Sequence, residues 1–325
     1  MTVVSDKAAE LIERDPALPD HFLVLERRES LGDYARDYGD TIAEHYENRG
    51  VIVVPHVPIR FDLEFFQGLE FPPEMKKIGT ANGLERSVVR RDDRKLTVDA
   101  EHPLVALFGN MSMAAYVQAQ IASFDGQLRT GLARLFPHYC SLAEGNITWR
   151  LTETVQEGLH LDVFDGGRPL SPHLKSLHRV KVFINIDAEP RRWRTSRDLP
   201  QLLGTRRDVL PAELPDDLNV LNDVLDKLGV LEDQPCHKVA YPTMSGVIVN
   251  AEVVAHEVVY GKRMVAAEFI CGRHDMLDPT RHTHAALAGW LKQAGYRTAS
   301  DAAAFAARYA KLRGSYQKIR EARGT

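Results

Sequence analysis

Three side chains carry the first chemical signal: His160 and Asp162, separated by Leu161, and His256 much further along the chain. In an extended backbone the side chains at i and i+2 leave on the same face, so an imidazole and a carboxylate in the order H-x-D converge on one point. A second imidazole from a neighbouring strand completes two histidines and one carboxylate on a single face of an octahedral metal. That set leaves coordination positions open for reactants, the arrangement of non-haem Fe(II) oxygenation chemistry. An H-x-D alone is common in surface loops, so the surroundings of both ligands carry the weight.

Those surroundings read as strands. Residues 245–252 form a turn followed by a β-branched run, His256 opens the next extended stretch, and a further strand covers 264–270. Residues 177–187 alternate and then become continuously apolar, as a strand entering a buried sheet does. The order of strand, histidine, short hairpin with Gly261, then Lys262 and Arg263 resembles the distal half of 2-oxoglutarate-dependent oxygenases. The segments 146–151, 160–164 and 177–194 resemble, more narrowly, the Kdo hydroxylase family, whose members are Fe(II)/2-oxoglutarate oxygenases of the sugar acid of lipopolysaccharide. The resemblance runs from near Lys76 to near Leu203 and takes in the distal histidine region, about half of the chain.

The resemblance implies a set of roles. Iron(II) would sit on His160, Asp162 and His256, 2-oxoglutarate would chelate it, and O2 would be the third reactant. A basic residue after the distal histidine would pair with the far carboxylate of 2-oxoglutarate, and Arg263 suits that task because a planar guanidinium meets a carboxylate with two parallel bonds. The gap from His256 is shorter than usual for such enzymes, which keeps Lys262 as a rival. Asn185 is a further cosubstrate candidate, and Arg150, Arg192 and Trp193 are candidates for the substrate side. One departure is that residues 152–158 separate the Trp149-Arg150 pair from the H-x-D, which implies a reshaped entrance. A halogenase would carry a small residue where Asp162 stands. Two other classes stay open: a metal-dependent cupin-type isomerase or hydrolase, and a non-catalytic binding member of the fold.

The elements that must position these residues follow from patterning. Ser30 is a plausible cap for a helix over 30–49, with Tyr34, Tyr38, Ile42 and Tyr46 at helical spacing and Gly50 as its stop. Val51 to Val54 read as a short buried strand. A long helix is expected over 110–135, with Met113, Tyr116, Ile121, Phe124, Leu128, Leu132 and Phe136 as its apolar stripe. From Cys140 to Arg273 strands dominate, and from Pro279 alanine-rich helices close the chain, with Trp290, Tyr296, Phe305 and Tyr309 packing. The expected fold is α+β and mainly β: a double-stranded β-helix of the jelly-roll or cupin type with flanking N- and C-terminal helices. We expect one catalytic domain over 1–325: a helical and strand segment over 1–139, the β core over 140–275 and helices over 276–325.

Residues 188–242 read as an insertion that breaks the strand rhythm. It holds Arg191, Arg192, Arg194, Arg197, Arg206 and Arg207, a set suited either to an anionic substrate or, with its acids, to a solvated loop. His173, His178, His237, His274, His282 and His284 are assigned no role, the last two being expected at the surface. A hydrophobic content of 44% and a charged content of 26% are ordinary for a globular protein. A net charge of −4 argues against a nucleic-acid binder held by phosphate contacts, so the expected partner is a small molecule. Three widely spaced cysteines, no apolar run long enough to span a bilayer and an N-terminus unlike a signal peptide point to the cytoplasm.

Overall fold

The computed structural model describes residues 11–70, 77–79, 103–299 and 301–310. Residues 1–10, part of the stretch read above as unlike a signal peptide, lie outside them. In chain order the strands are β1 (Ile12–Glu13), β2 (Phe22–Val24), β3 (Val51–Val54), β4 (Lys77–Gly79), β5 (Ala143–Arg150), β6 (Thr154–Val155) and β7 (Leu177–Asn185). There follow β8 (Arg191–Asp198), β9 (Glu213–Pro215), β10 (His237–Tyr241), β11 (Gly246–Val249), β12 (Val254–Gly261), β13 (Met264–Gly272) and β14 (Arg297–Ala299).

Twelve of these strands form two sheets, ordered β1-β10-β8-β12-β6 and β2-β3-β11-β7-β13-β5-β4, and β9 pairs with β14 apart from them. Pairing within the two large sheets is antiparallel except for β2 with β3. From β5 onward the chain crosses between the two sheets at nearly every connection, which brings residues distant in sequence face to face.

Strand parity divides the apolar side chains between two cores. On the larger sheet Ile147, Trp149, Val180, Val182, Ile184, Val265, Ala267 and Phe269 face the helices, where Tyr46, Ile121, Phe124 and Leu128 meet them. The alternate residues Val51, Val53, Val247 and Val249 pack instead with Trp193, Val239, Val254 and Val258 of the smaller sheet. Between the sheets the β7, β13 and β5 positions of that second parity include the polar or small Lys181, Glu268, Asn146, Ala266 and Thr148, and there a cavity opens.

The helix Leu31–Glu47 begins as expected, with Ser30 accepting a hydrogen bond from the Asp33 amide at 3.1 Å. The helix Met111–Leu135 is capped by Asn110, which accepts from Ser112 and Met113. Its buried face starts one residue later than expected, on Ala114 and Val117, while Met113 and Tyr116 are 38% and 39% exposed. Steps of three and four back from Ile121 reach Val117 and Ala114, not Tyr116 and Met113. Trp290, Tyr296, Phe305 and Tyr309 pack on the second core. No helix among the described residues is long and apolar enough to cross a membrane.

The 188–242 expectation needs a larger correction. Its first residues form β8, the central strand of the smaller sheet, paired with β10 on one side and β12 on the other. Its charges misled because Arg191 is buried on the same parity as Trp193 and Thr195, while Arg192 and Arg194 face outward. The true excursion between strands of the two large sheets runs over 199–236 and contains the helices Leu199–Thr205 and Leu218–Lys227.

Candidate active site

His256 lies on β12 next to the sheet centre, opposite Thr195 of β8. His160 forms a single bridge with it: each donates its amide to the other's carbonyl at 2.9 Å. Beyond that bridge residues 161–164 belong to no strand, so the H-x-D is a locally extended pair rather than part of a regular strand. Parity still holds. Leu161 is buried in the second core, and His160 and Asp162 both face the cavity.

The ligand geometry is compact. His160 Nε2 lies 3.9 Å and His256 Nε2 4.0 Å from Asp162 Oδ1, and the candidate ligand atoms all fall within 4.8 Å of one another. His160 Nδ1 is 2.8 Å from the Gly158 carbonyl and His256 Nδ1 3.0 Å from that of Val254. A carbonyl only accepts, so the proton sits on Nδ1 in both rings and the Nε2 lone pairs point into the shared space. Burial pulls the His256 imidazole down to about 4. Burial alone would raise the Asp162 carboxyl, but the Lys181 ammonium and the two imidazoles outweigh it and hold it at about 2. Both groups are therefore deprotonated at neutral pH, as metal coordination requires. Lys181 donates to Asp162 Oδ2, leaving Oδ1 toward the histidines.

The cavity holds about 300 Å³, small for a ligand pocket. Its floor is set by register across β7, β13 and β5: Lys181, Glu268 and Asn146 form one row, and Phe183, Ala266 and Thr148 the next. Trp193 faces them from β8, its ring 5.0 Å from Phe183 and 5.2 Å from His256. Glu268 Oε2 is 3.7 Å from Lys181 Nζ, and burial raises the Glu268 carboxyl.

Arg191 closes one end. It is 2% exposed, and none of its three guanidinium nitrogens has a hydrogen-bond partner among the described residues. Its register partner on β10 is Tyr241, whose buried hydroxyl is likewise unpartnered, as is Arg150 Nε. Burial, with Arg150 nearby, pulls Arg191 down to about 10, so it is still a cation at neutral pH. Gly261 makes room for it: a Cβ there would lie 2.2 Å from Arg191 Nη1. Glu157 and Asp187 stabilise its charge from a distance, but no carboxylate hydrogen-bonds it, and a buried cation left in that state is costly in the way found where a ligand supplies the missing bonds.

Measured against the sequence expectations, the structure brings His160, Asp162, His256, Arg150 and Trp193 to the cavity and leaves four residues out. Arg263 is the main correction. It shares the parity of Val265 and Ala267, on the helix-facing side of the sheet, where its Nη1 meets Asp187 Oδ1 at 2.8 Å and its Nη2 donates to the Leu69 carbonyl. Lys262 pairs with Glu70 at 3.1 Å. Asn185 is a strut, donating to the Glu189 and Tyr241 carbonyls. Arg192 faces outward and is exposed. Of the residues not singled out, Arg191 was visible as the i−2 neighbour of Trp193 once the segment is read as a strand, and Lys181 and Glu268 as charges inside otherwise apolar strands. His282 is buried and His284 half-buried with its side chain largely covered, rather than exposed: His282 Nε2 lies 3.1 Å from the Leu177 carbonyl, and His284 Nε2 3.9 Å from Glu252.

No family model matches the sequence, and no curated protein sequence matches it. Solved structures do. The apo structure of the Kdo hydroxylase KdoO, described as a non-haem Fe(II) alpha-ketoglutarate-dependent dioxygenase, superposes with a TM-score of 0.61 at 17% identity, over 83% of this chain and 96% of that one. The same enzyme with alpha-ketoglutarate and Fe(III) gives 0.60 at 17% identity, over 85% and 96%. Its cobalt(II) complex gives 0.60 at 17%, over 84% and 96%. The chain thus has the fold of that dioxygenase over most of its length.

Proposed function

We propose that the protein is an Fe(II)/2-oxoglutarate-dependent oxygenase hydroxylating a C–H bond of a small polar molecule, in a single catalytic domain built on a double-stranded β-helix. The observation that carries this reading is the pairing, in one cavity, of a two-histidine, one-carboxylate set with a buried guanidinium that lacks a hydrogen-bond partner. His160 Nε2, His256 Nε2 and Asp162 Oδ1 would hold the iron, with Lys181 fixing the other Asp162 oxygen. Arg191, with the Tyr241 hydroxyl beside it, would take the far carboxylate of 2-oxoglutarate in place of Arg263. Bound iron, 2-oxoglutarate and O2 would supply the oxidation, yielding succinate and carbon dioxide alongside the hydroxylated product. The protein supplies deprotonated ligands, a fixed anchor for the cosubstrate and a pocket walled by Phe183, Trp193 and Val258 that limits water.

Once those groups are assigned, the substrate would meet Glu268 and Asn146, which share a row with Lys181. Glu268 needs a donor, which a hydroxyl or amino group provides. Beyond Arg191, three arginines of 188–242 are engaged elsewhere: Arg194 pairs with Glu257, Arg197 with Gln234, and Arg206 donates to the Val230 carbonyl. A sugar acid would therefore be read through its hydroxyls as much as through its carboxylate. The isomerase or hydrolase alternative has no use for Arg191. The reducing cytoplasm suits the free thiols of Cys140, Cys236 and Cys271. The test is Fe(II) stoichiometry together with succinate release from 2-oxoglutarate in air. We expect one iron per wild-type chain and slow succinate formation, both lost in H160A and H256A; iron retained in both variants would contradict the ligand assignment.

A further inference from the structure

The segment carrying Asp162 has little backbone pairing of its own. Residues 161–170 lie in no strand, yet Asp162 must hold its carboxylate in place opposite His256. Buried amides and carbonyls need partners, and a segment outside a ladder has to find them in side chains. Here they come from one helix, Leu218–Lys227, and its cap. Asn222 Nδ2 donates to the Asp162 carbonyl at 3.1 Å and to the Glu252 carbonyl at 2.8 Å. Asn219 accepts from the Phe164 amide and donates to the Phe164 and Arg168 carbonyls, at 2.7, 2.8 and 2.7 Å. Asp217 accepts from the Leu170 amide at 3.2 Å.

These three polar residues are 1–2% exposed. At Gly167 (φ 78°) an added Cβ would lie 2.4 Å from the Asp223 carboxyl carbon, so the loop rests directly on the helix. The other face of the same helix is apolar, with Val220, Leu221, Val224 and Leu225 fully buried in the second core. One side anchors the helix, and the other grips the loop.

We infer that the helix Leu218–Lys227 is a positioning element for the metal site and that Asn222 is its central residue, an inference that rests on the metal reading above. The two carbonyls that Asn222 bridges belong to the two segments that supply ligands: Asp162 itself, and the turn that leads into His256. Beyond the His160–His256 bridge, the Asp162 amide also ties the two segments by donating to the Ala251 carbonyl at 2.8 Å. Without the amide group, the Asp162 backbone keeps one of its two anchors and can shift relative to His256. The excursion of 199–236 is then a support for the metal loop, not a lid or an arginine-lined substrate wall. Residues that hold metal ligands in place typically change metal affinity about 10- to 100-fold when removed.

The experiment is a Co(II) titration of the full chain, followed by visible d–d absorption, for wild type, N222L, N222S and L225A. N222L keeps the approximate shape of the side chain but cannot donate; N222S keeps one donor; L225A weakens the same helix from its apolar face. We expect the Co(II) Kd to rise 10- to 100-fold in N222L and by less in N222S, with a changed absorption envelope in both. L225A should lower Tm and leave Kd within about twofold. A Kd for N222L within twofold of wild type, or an equal loss in L225A, overturns the positioning role. If N222L does not fold, a wild-type Kd in N222S does the same. A wild-type chain that gives no Co(II) absorption contradicts the metal reading itself, which these outcomes keep separate from the brace.

Discussion

Arg191 and Arg263 are both buried arginines beside the same hairpin, and they differ in whether a carboxylate is bonded to the guanidinium. Arg263, 4% exposed, has a carboxylate at 2.8 Å and a backbone carbonyl on its second nitrogen. Arg191, 2% exposed, has neither: Glu157 and Asp187 act on it without a hydrogen bond, Arg150 repels it, and the Tyr241 hydroxyl nearby is itself unpartnered. The first is a charge-paired structural link from the sheet to the segment after the helix Leu63–Gly68, with only its Nε unpartnered among the described residues. The second carries a charge to which no described residue hydrogen-bonds. The contrast shows why a base at the expected distance from a metal ligand is weaker grounds for a role than a base without a hydrogen-bond partner.

The contrast can be broken experimentally. The largest effect should come from R191M, which removes the proposed anchor: losing a buried charge-assisted pair costs about 2–5 kcal/mol, a rise in the KM for 2-oxoglutarate of roughly 30-fold or more. Because the same change removes a buried cation that makes no hydrogen bond, thermal stability should hold or rise. R263M should do the reverse. It strands Asp187, for which about 3–5 kcal/mol of lost stability is expected, and leaves the KM near wild type. If the KM effect follows R263M and not R191M, the two roles are exchanged. G261A is a finer test, since its methyl meets the Arg191 guanidinium. It should raise the KM for 2-oxoglutarate about tenfold while iron stoichiometry stays at one.

Acidification probes a third kind of buried group, one that is neutral. Burial lowers His178 to about 3 and His282 and His284 to about 4. Their folded values lie below the ordinary 6.5, so the unfolded chain takes up more protons in between, and stability falls as pH drops from about 6.5 toward 4. Denaturant midpoints measured across that range should show the loss, and H284Q should flatten it. A midpoint independent of pH over this window contradicts the burial of the cluster.

Much of this was legible in the sequence where local patterning and tertiary packing agree. The Ser30 cap, the β-branched run 51–54 and the convergence of His160 with Asp162 needed only period and spacing. Legibility failed where a residue breaks the local rule. In β8 the string Arg191-Arg192-Trp193-Arg194 places like residues on both parities, and nothing within the strand says which arginine is inside. That is decided by Tyr241 and Gly261, far along the chain. Arg263 was misread for a related reason, since one step along β13 separates the cavity face from the helix face. His282 and His284 lie beside Arg281 in a polar stretch, and they are covered by Leu177 and Glu252, which no local pattern connects to them.

The central claim is that the triad and Arg191 form one binding site. Its most direct test is anaerobic titration of the Fe(II)-loaded chain with 2-oxoglutarate, followed by the visible metal-to-ligand charge-transfer absorption. We predict a saturable band at one equivalent in wild type and in R263M, and no saturation in R191M at the concentrations that saturate wild type. A wild-type chain that binds one iron yet gives no band, or an R191M chain that titrates as wild type does, would contradict it.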